Sequence, residues 1–146
     1  MSKTGPHQEQ PIKALGTLPE NASAAMIMLH GRGGSADDML SLSNHFDQSD
    51  VAYLAPQAAG HTWYPHRFIA PVAANEPHLS SALQAVGDTI AEVEKAGIPA
   101  DKIFLIGFSQ GACLALEYAA RNPRRYAGVI GLSGGLIGEK IDTSNY

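Results

Sequence analysis

One serine is flanked by glycines at the junction between an apolar run and a helix-forming stretch. Gly107-Phe108-Ser109-Gln110-Gly111 follows Ile103-Phe104-Leu105-Ile106 and precedes Ala112-Cys113-Leu114. A G-x-S-x-G pentapeptide set between a strand and a helix is a nucleophile elbow. The turn holds its serine in a strained conformation, small flanking residues prevent collisions across it, and the hydroxyl is presented above the sheet edge. Such a turn needs a sheet before it and a helix behind it, so the remaining apolar segments must supply that sheet.

They do so in alternation. Ala25-Met26-Ile27-Met28-Leu29 is a continuous apolar run, as expected of a strand buried on both faces in a parallel sheet. Ser35-Ala36-Asp37-Asp38 resembles a capping box and opens a helix through Met39, Leu40, Leu42 and Phe46. Val51 to Pro56 reads as a second buried strand. Gln57 to Pro77 is a long unpatterned loop, and loops of that length in compact domains tend to be functional. Pro77 then starts an amphipathic helix whose stripe is Leu79, Leu83, Val86, Ile90 and Val93, with Lys95 and Gly97 suited to its end. The elbow helix runs to about Arg121 and stops at Asn122-Pro123, and Tyr126 to Leu132 is the fourth strand. Residues 1–21 are polar and proline-punctuated, read as a loose arm with one short edge strand; residues 22–146 form the domain. The fold class is therefore α/β, a mainly parallel sheet flanked by helices with right-handed crossovers.

Composition narrows the function classes. With 146 residues, 45% hydrophobic and 16% charged, the chain is a single globular domain. A net charge of −4 argues against a nucleic-acid partner. The single cysteine, Cys113, excludes an internal disulfide and a thiolate zinc cluster; on the elbow helix it reads as a buried structural thiol. The N-terminus lacks an apolar h-region and the longest apolar run is too short to span a bilayer, so a cytoplasmic protein without a transmembrane segment is expected.

Ser109 is the nucleophile candidate, a hydroxyl that needs a base to activate it. His30-Gly31-Arg32-Gly33-Gly34 follows a buried strand and has the composition of an oxyanion loop, whose backbone amides approach the reacting carbonyl closely. The donors expected are the N–H groups of Arg32 and Gln110. That no Lys-Ser/Thr follows argues against a phosphate cradle. His30 could serve as a base, but at a strand end it reads better as orienting the loop by hydrogen bonds. Trp63-Tyr64-Pro65-His66-Arg67-Phe68 has two readings: Trp63 and Tyr64 bind substrate as walls of an acyl pocket, or the aromatics anchor the loop on the core. His61 and His66 lack acidic partners at useful spacing, so no metal is expected. Ser133 reads as a turn residue, and Arg121, Arg124 and Arg125 as a solvated helix end.

Taken together, His30-Gly31-Arg32-Gly33-Gly34 and Gly107-Phe108-Ser109-Gln110-Gly111 resemble the phospholipase/carboxylesterase family of α/β-hydrolases, which includes the acyl-protein thioesterases. Ala55-Pro56-Gln57, Trp63-Tyr64 and Leu132-Ser133-Gly134-Gly135 extend the resemblance over about residues 22 to 138. It implies hydrolysis of small-molecule esters or thioesters without metal or organic cofactor, with Ser109 as nucleophile and the Arg32 and Gln110 amides as oxyanion hole. Self-association as a homodimer is compatible with it.

The resemblance carries over neither acid nor base. In this fold the triad runs Ser, then Asp or Glu, then His, yet all six histidines precede Ser109. Of the later carboxylates, Glu117 lies in the elbow helix, and Glu139 and Asp142 follow the fourth strand too soon. About a third of the domain is expected to be missing, which would leave the fourth strand as an exposed apolar edge. Three readings follow: the front part of a serine esterase, a catalytically incomplete acyl-ligand-binding or scaffold protein, or an enzyme whose base comes from a partner chain.

Overall fold

The computed structural model describes residues 5–46 and 50–146; the first four residues of the arm lie outside them. Five strands form one sheet: β1 (Ile12–Gly16), β2 (Ala24–Leu29), β3 (Val51–Pro56), β4 (Ile103–Phe108) and β5 (Gly128–Leu132). Their spatial order is β1-β3-β2-β4-β5, with β1 antiparallel to β3 and every other pairing parallel. Among the described residues three α-helices connect them: α1 (Ala36–Ser41), α2 (His78–Lys95) and α3 (Gln110–Arg121).

Strand alternation sorts the apolar runs between two layers. Ala25, Ile27, Leu29, Ala52, Leu54, Ile103 and Leu105 face the larger core, where α2 and α3 pack through Leu79, Val86, Ile90 and Leu114. Met28, Tyr53, Ala55 and Ile106 face the other way, toward Met39 and Leu40 of α1. Each internal strand is covered on both sides, which is why these segments read as unbroken hydrophobic runs. On the α1 side the cover is partial: a hollow of about 610 Å³ opens over Met26, Tyr53 and Phe104. β5 is the outermost strand, and its Ile130 and Leu132 are exposed.

Local signals behave as their chemistry requires. The Ser35 hydroxyl accepts the Asp38 amide at 3.1 Å and starts α1, which gives way after Ser41 to a 3₁₀ turn over Leu42–His45. Helix α2 begins directly after Pro77, and Gly97 takes φ +110° behind its last turn. β5 begins two residues later than the apolar run, at Gly128 rather than Tyr126. No helix among the described residues is long and apolar enough to cross a membrane.

The arm is not loose over its described part. Ile12–Gly16 is the edge strand foreseen, and upstream of it His7 is buried against the start of α2. The His7 amide donates to Ser81 Oγ at 3.0 Å, and Gln8 Nε2 donates to the Ser81 carbonyl at 2.9 Å. A polar segment docks here because main-chain groups satisfy its side chains, which apolar patterning does not register.

Candidate active site

The chain turns back between β3 and β4, crossing β2 to reach its other side. In open α/β sheets the crevice beyond the carboxyl ends of strands at such a reversal is where ligands bind. Leu29 of β2 pairs with Gly107 of β4, so the segments leaving these two strands emerge side by side. One is the His30–Gly34 loop and the other is the elbow.

Ser109 has φ 57° and ψ −113°, a conformation that side chains rarely adopt. Neighbours fix it from both sides: its amide donates to the Leu132 carbonyl at 2.8 Å, and its carbonyl accepts the Cys113 amide at 3.0 Å. The flanking glycines answer to contacts, not only to flexibility. A Cβ on Gly107 would overlap the Gly111 carbonyl, and one on Gly111 would overlap the Leu29 carbonyl. The elbow is therefore wedged against β2 with no room for a methyl group.

The loop after β2 rests on the elbow: a Cβ on Gly31 would lie 3.0 Å from the Phe108 carbonyl oxygen and 3.4 Å from Ser109 Cβ. Gly33 N–H donates to the His61 carbonyl at 2.7 Å and Gly34 N–H to the Gly31 carbonyl at 3.0 Å. The Arg32 N–H just ahead of them has no partner among the described residues. Gln110 is the first residue of α3, where a backbone N–H has no intrahelical acceptor. Both amides expected in an oxyanion hole are thus unclaimed by secondary structure.

The side chains of the same two residues converge on one segment. Gln110 Oε1 accepts the Trp63 amide at 2.7 Å, and its Nε2 donates to the Tyr64 carbonyl at 2.8 Å. The Arg32 guanidinium donates to Thr62 Oγ1 and the Pro65 carbonyl at 3.1 Å, and to the His66 carbonyl at 3.0 Å. Thr62 Oγ1 also accepts from Gln110 Nε2 at 3.2 Å. Residues 62–66 are therefore clamped to both candidate oxyanion donors. This clamp was not legible beforehand, because the three pieces lie far apart in the chain and carry no shared spacing.

Trp63 is fully buried and does not line the cleft beside Ser109. Its indole N–H donates to the His30 carbonyl at 2.8 Å, and its ring stacks on His30 at 5.1 Å. Of the two readings for this residue, the structure places it as a loop anchor. Tyr64 is equally buried but forms part of the wall of the cleft, a space of about 200 Å³ that it shares with Ser109, Cys113 and Ser133. Burial pushes the Tyr64 hydroxyl far above its ordinary pKa, and the neighbouring Cys113 adds to that. Ser133, at φ 66°, makes the turn after β5.

No histidine meets Ser109 among the described residues, and its hydroxyl has no hydrogen-bond partner there. His30 is not a free base. Its Nε2 accepts the Ala58 amide at 3.1 Å, which leaves Nδ1 to donate to the Gly31 carbonyl at 2.7 Å. Burial holds its pKa below the usual histidine value. His61 Nδ1 bonds the Gly34 carbonyl at 2.8 Å and so braces the oxyanion loop. Glu117, unremarkable in the sequence, is fully buried behind the elbow. It accepts from Arg121 Nε at 2.6 Å, from the Ile137 amide at 2.9 Å and from the Tyr146 hydroxyl at 2.9 Å.

Comparison with known proteins bears on the fold and the family. The sequence pattern of the phospholipase/carboxylesterase family matches residues 16–145. The chain is 28% identical over 137 residues to acyl-protein thioesterase 1 of Yarrowia lipolytica, covering 80% of this chain and 60% of that protein. It is 30% identical over 129 residues to mouse lysophospholipase-like protein 1, covering 77% of this chain and 54% of that protein. The crystal structure of a phospholipase/carboxylesterase from Dyadobacter fermentans superposes with a TM-score of 0.92 at 48% identity, covering 94% of this chain and 66% of that one. The chain thus spans a little over half the length of the two sequence relatives, 60% and 54%. An α/β sheet with an elbow serine, matched along nearly its whole length, makes this chain a member of the phospholipase/carboxylesterase family of α/β-hydrolases.

Proposed function

We propose that this chain carries the nucleophile and the oxyanion hole of a serine hydrolase that cleaves carboxylic esters or thioesters by acyl transfer. The observation that carries the reading is Ser109 itself: a strained serine at the carboxyl end of β4, beside two uncommitted amides. The family supports the hydrolase class.

In the reaction, Ser109 Oγ bonds to the substrate carbonyl carbon while a base takes the hydroxyl proton. The carbonyl oxygen becomes an oxyanion held by the Arg32 and Gln110 amides. Fixed donors of this kind typically contribute about 3 kcal/mol each. The tetrahedral species collapses, the bond to the alcohol or thiol breaks, and the leaving group receives the proton. Water then attacks the acyl-enzyme by the same proton route and releases the acid. No histidine meets Ser109 among the described residues, so this reading requires a base and an acidic partner that these contacts do not supply. Alone, a serine without a base keeps only the residual catalysis of an oxyanion hole. That observation favours a second reading, in which these 146 residues hold an acyl ligand without turning it over.

A fluorophosphonate probe separates the readings. On the protein at its native length we expect a covalent adduct at Ser109 that Ser109→Ala abolishes. An adduct on another residue, or none, overturns the assignment. On the 146-residue chain alone we expect no adduct at an esterase-like rate. Labelling there would place a base within this segment.

A further inference from the structure

Two serines of the cleft stand on left-handed backbone. Ser109 has φ 57° and Ser133 has φ 66°. Their places in the sheet are equivalent: Phe108 of β4 pairs with Leu132 of β5, and each serine is the next residue. Neighbouring strands lie about 4.8 Å apart, so the two serines emerge side by side. The elbow accounts for the strain at Ser109. A turn alone does not account for it at Ser133, because glycine makes such a turn without strain and asparagine and aspartate tolerate it. Serine there carries a conformational cost that glycine would remove.

The position of Ser133 is also fixed. On one side of it the Leu132 carbonyl accepts the Ser109 amide at 2.8 Å. On the other, a Cβ on Gly134 would lie 2.6 Å from Ala112 Cβ and 2.7 Å from the Cys113 amide nitrogen, so the chain is pressed onto the first turn of α3. Ser133 is thus held between two residues that touch the elbow or its helix. It lines the cleft together with Ser109, and its hydroxyl has no hydrogen-bond partner among the described residues.

We propose that Ser133 is a second catalytic residue, whose hydroxyl donates a hydrogen bond to the leaving-group oxygen of an ester bound at Ser109 and so favours oxygen esters over thioesters. This rests on the reading of Ser109 as the nucleophile. Strand β4 lies between β2 and β5. The Arg32 loop leaves β2, so the oxyanion turns toward that flank, and Ser133 stands on the other. Of the two remaining substituents on the tetrahedral carbon, the acyl carbon cannot accept a hydrogen bond and the leaving oxygen can. As the carbon–oxygen bond breaks, its electron pair stays on the leaving oxygen, which takes its proton from the base. Ser133 keeps its own proton and offsets the charge that builds before that transfer is complete. Sulfur is a weak acceptor, so a thioester gains little from the same hydroxyl.

The test compares ethyl butyrate with S-ethyl thiobutyrate on the native-length protein. Both give the same acyl-enzyme, so their kcat/KM values set the departure of oxygen against that of sulfur. Ser133→Gly removes the hydroxyl and relaxes the backbone, and Ser133→Ala removes the hydroxyl and keeps the strain. We expect each variant to lower kcat/KM for the oxygen ester by about tenfold, the effect of one hydrogen bond to a charged group, and for the thioester by less than about twofold. The urea midpoint of Ser133→Gly should equal or exceed that of the parent, which separates the loss from damage to the fold. Equal losses on both esters, or no loss on either, overturn the role of Ser133 and leave the nucleophile standing. Both butyrates inert while the fluorophosphonate labels Ser109 has the same meaning. If Ser109 does not label, the reading of the nucleophile falls and this one with it.

Discussion

Gln110 holds Trp63 by its main chain, the side-chain Oε1 accepting the Trp63 amide at 2.7 Å while Nε2 donates to the next carbonyl, that of Tyr64, at 2.8 Å. The residue whose own amide faces the expected oxyanion thus uses its side chain to fix the wall opposite. Gln110→Ala removes both bonds, leaving the buried Trp63 amide unpaired and the Tyr64 carbonyl with only the Thr62 hydroxyl at 3.1 Å. In the native-length protein we expect the rate of fluorophosphonate labelling at Ser109 to fall by about 10- to 100-fold, since small misplacements of a reacting group carry costs of that order. Gln110→Glu should do no better, because a carboxylate cannot donate to the Tyr64 carbonyl. An unchanged labelling rate in Gln110→Ala would remove the clamp from the mechanism.

Gly111→Ala sets two effects of opposite sign against each other. Alanine in a helix is favoured over glycine by about 1 kcal/mol. Here the new Cβ would overlap the Leu29 carbonyl of β2, and backbone cannot yield as a flexible side chain does. Overpacking typically costs about 1–3 kcal/mol, with backbone contacts at the upper end or beyond. We expect net destabilisation of about 2 kcal/mol or more in urea unfolding. A variant as stable as the parent would show that the elbow is not wedged against β2.

Much of this could be read from the chain, and the unread part has a common cause. The four parallel strands and the elbow were legible because each is a local pattern: an apolar run buried on both faces, or a pentapeptide whose glycine spacing marks the turn even though one of those glycines answers to a distant strand. The parts that sequence could not give are polar and non-local. His7 was hidden in a proline-rich arm because its burial depends on main-chain groups of Ala59 and Trp63, more than 50 residues away. Trp63 could be a pocket wall or an anchor until the His30 carbonyl was found waiting for its indole N–H. Glu117 looked like one more helix acid, since nothing near it in sequence announces the Ile137 amide.

Stability should depend on pH through two buried histidines. His7 and His30 each accept a backbone amide, from Ala59 and Ala58, on a nitrogen that must be unprotonated. Burial lowers both pKa values below 6.5. Below about pH 6.5 the unfolded chain therefore binds more protons than the folded one, and stability falls as pH falls. The contribution is complete above pH 6.5 and is lost as pH drops through the depressed folded values. The slope is at most about 1.4 kcal/mol per pH unit for each histidine. Urea midpoints should be level between about pH 7 and 8 and decline below about 6.5. His7→Gln should flatten that decline by about half. A midpoint that holds steady through this range would show that neither ring is kept neutral by the fold.

Glu117 is the residue whose loss should reach furthest from its position. Its carboxyl is fully buried and satisfies Arg121 Nε, the Ile137 amide and the Tyr146 hydroxyl at once. It thereby ties α3 to the chain that follows β5, the segment whose Ser133 lines the cleft and whose Leu132 carbonyl receives the Ser109 amide. Glu117→Ala leaves the Ile137 amide without an acceptor and the Arg121 guanidinium without its carboxylate. Breaking a buried pair typically costs about 3–5 kcal/mol. Arg121 keeps 23% of its side chain in water and can recover part of its solvation, so the lower end, about 3 kcal/mol, is expected. Glu117→Gln separates charge from shape. Its oxygen can still accept the Ile137 amide, but its NH₂ then faces the Arg121 donor, and a loss of about 1–2 kcal/mol remains. Arg121→Met made together with Glu117→Gln removes that donor clash and should recover part of the loss. Urea unfolding of the four proteins in the cycle measures the coupling. Additive losses would mean that Glu117 and Arg121 stabilise the fold independently, and would remove their pairing from the link between α3 and the chain after β5.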